Sequence, residues 1–171
     1  RNNLREFITT IASGIHVPLT VGGGIRSMAD ARDLQESGAD KVVINTAAIK
    51  NPNLITEIAT NFGSSATVAS IEAKRIGQYK YHCFTDNGRE PTGVDVLEWA
   101  QRVENLGAGE ILLTSIDREG TWSGFELNLV KSVVEAVSIP VIAHGGAGCM
   151  DDVRKAIKLS GASAVALGSM V

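Results

Sequence analysis

Two hydrophobic periods take turns along the chain. Short continuous apolar runs, such as VVIN, ILLTS and AVAL, alternate with segments whose apolar residues recur every three or four positions. The runs suit strands buried on both faces of a parallel sheet, and the periodic segments suit helices packed over it. Leu4, Phe7, Ile8 and Ile11 make one stripe of a helix from Leu4 to Ser13, and Gly14 stops it. Val17 to Val21 reads as a strand. Ser27 caps a helix from Met28 to Ser37, Gly38 ends it, and Lys41 to Asn45 is the next strand. Asn51 as N-cap and Pro52 in the first helical position open a helix that runs to Asn61. Ala66 to Ala73 is a strand, and Tyr79 to Phe84 is a small excursion with Asn87-Gly88 as a turn signal. A helix from Val94 to Leu106 follows. The alternation then continues through a strand from Glu110 to Ser115, a helix from Leu127 to Val137 and a strand from Pro140 to His144. A helix from Asp151 to Leu159 and a strand from Ser163 to Leu167 complete it.

Strands alternating with helices leave two parallel architectures, a closed barrel and an open doubly wound sheet. The dinucleotide fingerprint of the open sheet is absent, because Gly22-Gly23-Gly24 runs on into Ile25-Arg26-Ser27. An internal repeat favours the barrel. Pro18 aligns with Pro140, Gly23-Gly24 with Gly145-Gly146 and Met28 with Met150; one inserted residue later, Gly38-Ala39 aligns with Gly161-Ala162 and Asn45-Thr46 with Gly168-Ser169. The offset is about half the ~250 residues of an eight-stranded barrel. The expected fold is therefore α/β: a (β/α)8 TIM barrel, incomplete, with about strands 3 to 8 present and a twofold half-barrel repeat. Residues 1–171 form one domain. Its ends, in a helical pattern at Arg1 and on a strand at Val171, suggest a piece lacking the first two strands and the C-terminal helix.

Composition narrows the partners. A net charge of −3 gives no general attraction to nucleic acid or to an anionic membrane, so any anion binding must be local. No apolar run approaches the roughly 20 residues of a membrane span, and no secretory signal is visible. Cys83 and Cys149 lack metal-ligand spacing and read as free thiols of a cytoplasmic protein.

Glycine turns after parallel strands let a backbone approach an anion closely and aim N–H groups at it. Each repeat also ends its next strand in a small polar pair, Asn45-Thr46 or Gly168-Ser169. Two copies predict two phosphate sites on opposite sides of a barrel mouth, against the plainer alternative of glycines serving turns alone. The long polar loop from Thr114 to Gly124 offers Asp117, Glu119, Gly120 and Thr121 to a substrate, unless it is simply solvated. Glu72 ends a strand, a usual position for general acid/base work; an ion pair is the alternative. Lys41 starts a strand at the other face, where it either reaches solvent or pairs inside the barrel bottom. His144, beside the second glycine pair, suits substrate contact and a structural role equally. His16 and His82 read as loop residues, and Trp99 as packing.

VGGGIRS, GADKVVINTAAIKNPNLI, FGS, IEAKR, GAGEILLTSIDREGT and GGAG together resemble the cyclase subunit of imidazole glycerol phosphate synthase along essentially the whole chain. The resemblance implies a twofold-repeated barrel and a substrate with a phosphate at each end. It implies an ammonia-dependent lyase of histidine biosynthesis. Ammonia from a glutaminase subunit docked on the N-terminal face converts phosphoribulosyl-formimino-aminoimidazole-carboxamide ribotide to imidazole glycerol phosphate and aminoimidazole carboxamide ribotide. No cofactor and no metal are implied. Carried over by position, one phosphate site uses Gly24, Asn45 and Thr46. The other uses Gly120, Gly146, Gly168 and Ser169, with Glu119 nearby, while Thr114 and Asp117 line the loop region. Asp40 and Lys41 fall at the ammonia entrance and glutaminase interface.

The family has two catalytic aspartates, on its first and fifth strands. The first strand lies outside this chain, and the family's IDAK reads IEAK here, which puts Glu72 in the second position. Glu119 likewise stands for Asp and His144 for Ser. These departures also fit a cyclase-like paralogue that, with an amidotransferase, installs an amidino group on a nucleotide sugar for surface polysaccharide. A non-catalytic barrel fragment is a third alternative.

Overall fold

The structure, a computed structural model, describes residues 2–168 and residue 170. Ser169, the last residue expected in the second phosphate site, lies outside the described residues.

Six parallel strands form one curled sheet in chain order: β1 (Thr20–Gly22), β2 (Lys41–Ile44), β3 (Thr67–Gly77), β6 (Glu110–Ser115), β7 (Val141–His144) and β8 (Ala164–Ala166). An antiparallel ribbon, β4 (Lys80–Thr85) and β5 (Glu90–Asp95), branches from β3. Helices α1 (Asn2–Gly14), α2 (Met28–Glu36), α3 (Thr46–Lys50), α4 (Asn53–Phe62), α5 (Val96–Asn105), α6 (Leu127–Ala136) and α7 (Met150–Lys158) fill the connections. This is the expected incomplete barrel. The excursion after β3 is the ribbon, turning at residues 86–89, and it places His82 on a strand rather than in a loop. Among the described residues, no helix is long and apolar enough to cross a membrane.

Side chains alternate across each strand. One face of the sheet, with Val42, Ile44, Ile71, Ile111 and Leu113, is buried under Ile55 and Ile58 of α4, Trp99 and Val103 of α5 and Val133 of α6. Cys83 is also buried, which pushes its thiol up to about 12 and leaves it unreactive.

β3 runs on to Gly77, four residues past the expected Ala73, and three other boundary shifts have a local cause. β1 begins at Thr20 because Pro18 has no N–H and Leu19 turns to Asp40, donating its N–H to the carboxylate over 2.7 Å. Asn51 does not cap α4 with its side chain; its N–H closes α3 on the Ala47 carbonyl, and Pro52 takes the N-cap position. α5 starts two residues late because Asp95 caps it, accepting N–H bonds from Leu97 and Glu98. Ser27 caps α2 as expected, through Asp30.

Where strands begin, Lys41 on β2 and Glu110 on β6 form an ion pair, each side chain about one quarter exposed or less. Of the two alternatives for Lys41, pairing inside the barrel bottom holds.

Gly109 is set by close approach. A Cβ there would lie 2.2 Å from the Ser64 carbonyl oxygen, and the Gly109 N–H donates to Thr67. Gly109→Ala should cost about 1–3 kcal/mol of stability, read as a lower urea midpoint. Gly14→Ala, which faces open space at the end of α1, should be neutral or gain up to about 1 kcal/mol. Equal midpoints for the two variants would show that the Ser64 contact does not constrain the fold.

Candidate active site

Parallel strands deliver their C-terminal ends to one rim. Register sets Glu72 of β3 beside Thr114 of β6, and Thr114 beside His144 of β7. These three polar side chains share one face of the sheet, and Thr114 Oγ1 lies 3.1 Å from His144 Nδ1. His144 therefore has a structural partner in Thr114.

An open cleft of about 1170 Å³ lies over one side of this rim. Gly24, Asn45, Thr46 and Glu72, expected from sequence to act together, all line it. So do Arg26, Lys50, Asp86 and Glu90, which the sequence pattern did not single out. Gly23 and Gly24 adopt φ of 100° and 71°, which only glycine adopts readily, and nothing lies within 4 Å of a Cβ built at either. The turn is thus open on its cleft side. Thr46 begins α3, and its Oγ1 accepts the Asp86 N–H over 3.4 Å, leaving the hydroxyl proton free to donate. An anion between the glycine turn and the end of β2 would meet Thr46, Arg26 and Lys50.

Glu72 has a defined environment. Its Oε2 accepts the Gly88 N–H over 2.8 Å, from the tip of the β4–β5 ribbon. Burial pushes its carboxyl above the ordinary range, and the charges of Glu119 and Asp86 push the same way. The Gly88 N–H and the Asn45 side chain oppose that shift, and burial outweighs them. A half-buried carboxyl with a raised pKa lining an open cleft is suited to proton transfer.

The second glycine turn is built differently. A Cβ at Gly146 would fall 2.4 Å from the Gly124 carbonyl, and the Gly124 N–H donates to the Gly146 carbonyl over 2.8 Å. This turn is packed against the loop after β6. Gly120, Gly146 and Gly168 do not line the large cleft, and neither do Thr114, Asp117 or Glu119. Asp117 instead accepts the backbone N–H of Arg75 over 2.8 Å. Glu119 is close enough to Glu72 to raise its pKa.

The anchor of that loop escaped sequence reasoning. Glu126, just before α6, is buried and meets Arg75 Nη2 at 2.6 Å, Arg118 Nε at 3.4 Å and Tyr81 OH at 3.3 Å. The Glu-Arg-Tyr side chains come from three separate segments, and no local spacing announces them. At the opposite face, Asp40 is committed to the Leu19 N–H, and Lys41 to Glu110.

A family described as "Histidine biosynthesis protein" matches residues 1–171. The chain is 59% identical over 152 residues to the imidazole glycerol phosphate synthase subunit HisF of Legionella pneumophila, a match covering 89% of this chain and 72% of that protein. It is 49% identical over 170 residues to the subunit HisF of Hydrogenobaculum sp. (strain Y04AAS1), covering 99% of this chain and 68% of that protein. By the extent of these matches, the chain belongs to the histidine biosynthesis protein family.

Proposed function

We infer that this chain is an enzyme, the cyclase subunit of imidazole glycerol phosphate synthase, a lyase of histidine biosynthesis. The observation that carries its chemistry is Glu72, a raised-pKa carboxyl in the same cleft as an open glycine turn and the Asn45-Thr46 strand end.

The proposed substrate is the formimino-aminoimidazole-carboxamide ribotide with its two phosphates. One phosphate sits against Gly24, Asn45 and Thr46, through N–H groups and the Thr46 hydroxyl. The second extends toward Gly120, Gly146, Gly168 and Ser169. Glu72 lies between and moves a proton as ammonia attacks and the ring closes, releasing imidazole glycerol phosphate and the carboxamide ribotide. Burial, helped by the charge of nearby Glu119, keeps the Glu72 carboxyl protonated to higher pH. The partner is a glutaminase subunit on the N-terminal face, and ammonia passes the Lys41–Glu110 pair. We place this assembly in the cytoplasm.

A second reading is kept because Glu72 replaces the aspartate of the family pattern. Arg26 and Lys50 add two cations to the Gly24 side of the cleft, which suits a diphosphate held on one side, as in a nucleotide sugar. Turnover of full-length protein with ammonia and the ribotide supports the first reading. Turnover of a nucleotide sugar alone overturns it in favour of amidination.

Glu72→Gln should lower kcat by about 10²–10⁴-fold while KM changes little; retained turnover would exclude Glu72 as the acid/base. The kcat/KM limb that belongs to Glu72 should lie above the ordinary carboxylate range, and be absent in the variant. Stability has a matching sign. A folded pKa raised above the unfolded value means that stability is fully present below the unfolded pKa and declines as pH rises through the folded one. Glu72→Gln should therefore melt no lower than the parent at neutral pH; a clear loss would contradict the burial penalty. Thr46→Val should raise KM about tenfold or more, the worth of a hydrogen bond to a charged group, with kcat nearly unchanged. An unaltered KM would remove Thr46 from the phosphate site.

A further inference from the structure

We propose that the tip of the β4–β5 ribbon is a positioning element for Glu72, with the Gly88 N–H fixing the carboxylate that the longer Glu side chain brings within reach. This rests on Glu72 acting in the proposed reaction, and it adds Gly88 to the working parts of the site.

Three observations converge. The Gly88 N–H donates to Glu72 Oε2 over 2.8 Å, and the Asn45 side chain also bonds this carboxyl, so its position is defined from the ribbon and from the end of β2. The tip is itself held on two sides. On one, the Asp86 N–H bonds Thr46 Oγ1 over 3.4 Å; on the other, Gly88 lies so close to Ile116 that a Cβ would come within 3.0 Å of that side chain. Its backbone is also specialised: Asp86, Asn87 and Gly88 all have positive φ, at 53°, 56° and 75°. Asp, Asn and Gly are the residues that take up such a backbone most readily, so the sequence itself sets this tight hairpin tip. The turn closes with the Arg89 N–H on the Thr85 carbonyl over 3.1 Å. The ribbon is carried by β3 itself, because Glu72 pairs with Phe84 across the β3–β4 ladder. Lys74 stacks over the Phe84 ring at 5.5 Å and stiffens the same junction.

The geometry also explains the Glu. A carboxylate one methylene shorter would retract by roughly 1 Å, a misplacement that can cost about 100-fold in rate. It would leave the Gly88 N–H without its acceptor. The substitution that looks like a return to the family's pattern should therefore be harmful in this chain.

The test compares full-length parent, Glu72→Asp and Glu72→Gln by two readouts. The first is amide hydrogen exchange at Gly88, followed by NMR without substrate. The second is kcat and KM with ammonia and the ribotide. Glu72→Gln keeps an oxygen acceptor at the same reach, so Gly88 should stay protected although turnover is lost. Glu72→Asp should expose Gly88 to faster exchange and lower kcat about 100-fold with KM little changed. An Asp variant as active as the parent, or Gly88 exchange unchanged by it, would overturn the proposal. A parent without turnover would sink the proposed reaction, and the exchange readout would still decide whether Gly88 holds Glu72.

Discussion

Strand β3 changes neighbours at Glu72. Its first residues pair with β2, from Thr67 to Ala69, and with β6 from Val68 onward. From Glu72, β3 outruns β2 and takes the antiparallel strand β4 on that side. One residue thus lies next to Thr114 of β6 and Phe84 of β4, under the tip of the ribbon and at the floor of the cleft. A slip of one position in this register would turn Glu72 toward the buried face occupied by Ile71, where an unpaired carboxylate is strongly unfavourable. The chemistry of the cleft therefore depends on the strand pairing, and the strand pairing on the apolar alternation that buries Ile71, Ile111 and Leu113.

The parallel core was legible because it is written locally. Runs such as VVIN and ILLTS, punctuated by glycines, are strong periodic signals, and each became a strand in the expected order. The glycine turn with Asn45-Thr46 was legible for the same reason, since the residues that line one side of the cleft lie close together in sequence. Glu72 was expected at a strand end; β3 runs on to Gly77, so Glu72 sits instead where the pairing with β2 has ended and β4 has taken that side. Gly88, Glu126 and the Lys41–Glu110 pair were not legible, because each contact joins segments far apart in the chain. Asn87-Gly88 announced a turn, but nothing in a turn says which strand end it reaches. Boundaries shifted where a side chain competed for backbone groups, as Asp40 does at Leu19 and Asp95 does at α5.

Repetition in sequence has not kept the two halves equivalent. The helices after the two glycine turns are capped alike: Asp30 receives the Arg26 N–H and Asp152 those of Gly148 and Cys149. The turns themselves have diverged. Gly23-Gly24 faces open space, whereas Gly146 is packed against the loop that ends at Gly124. That loop is fixed by the buried Glu126 cluster and by Asp117 on Arg75. Similar local sequence thus gives a turn open to the cleft in one copy and a turn packed against a neighbouring loop in the other.

The central claim is that one cleft holds a phosphate at its Gly24 side and offers Glu72 to the reacting centre. A crystal structure of the full-length protein with its substrate or product bound tests this most directly. The account predicts a phosphate between Gly24 and Asn45-Thr46, with Glu72 still on the Gly88 N–H and its other oxygen toward the ligand. A ligand with no phosphate at Gly24, or one that leaves Glu72 out of contact, would contradict it.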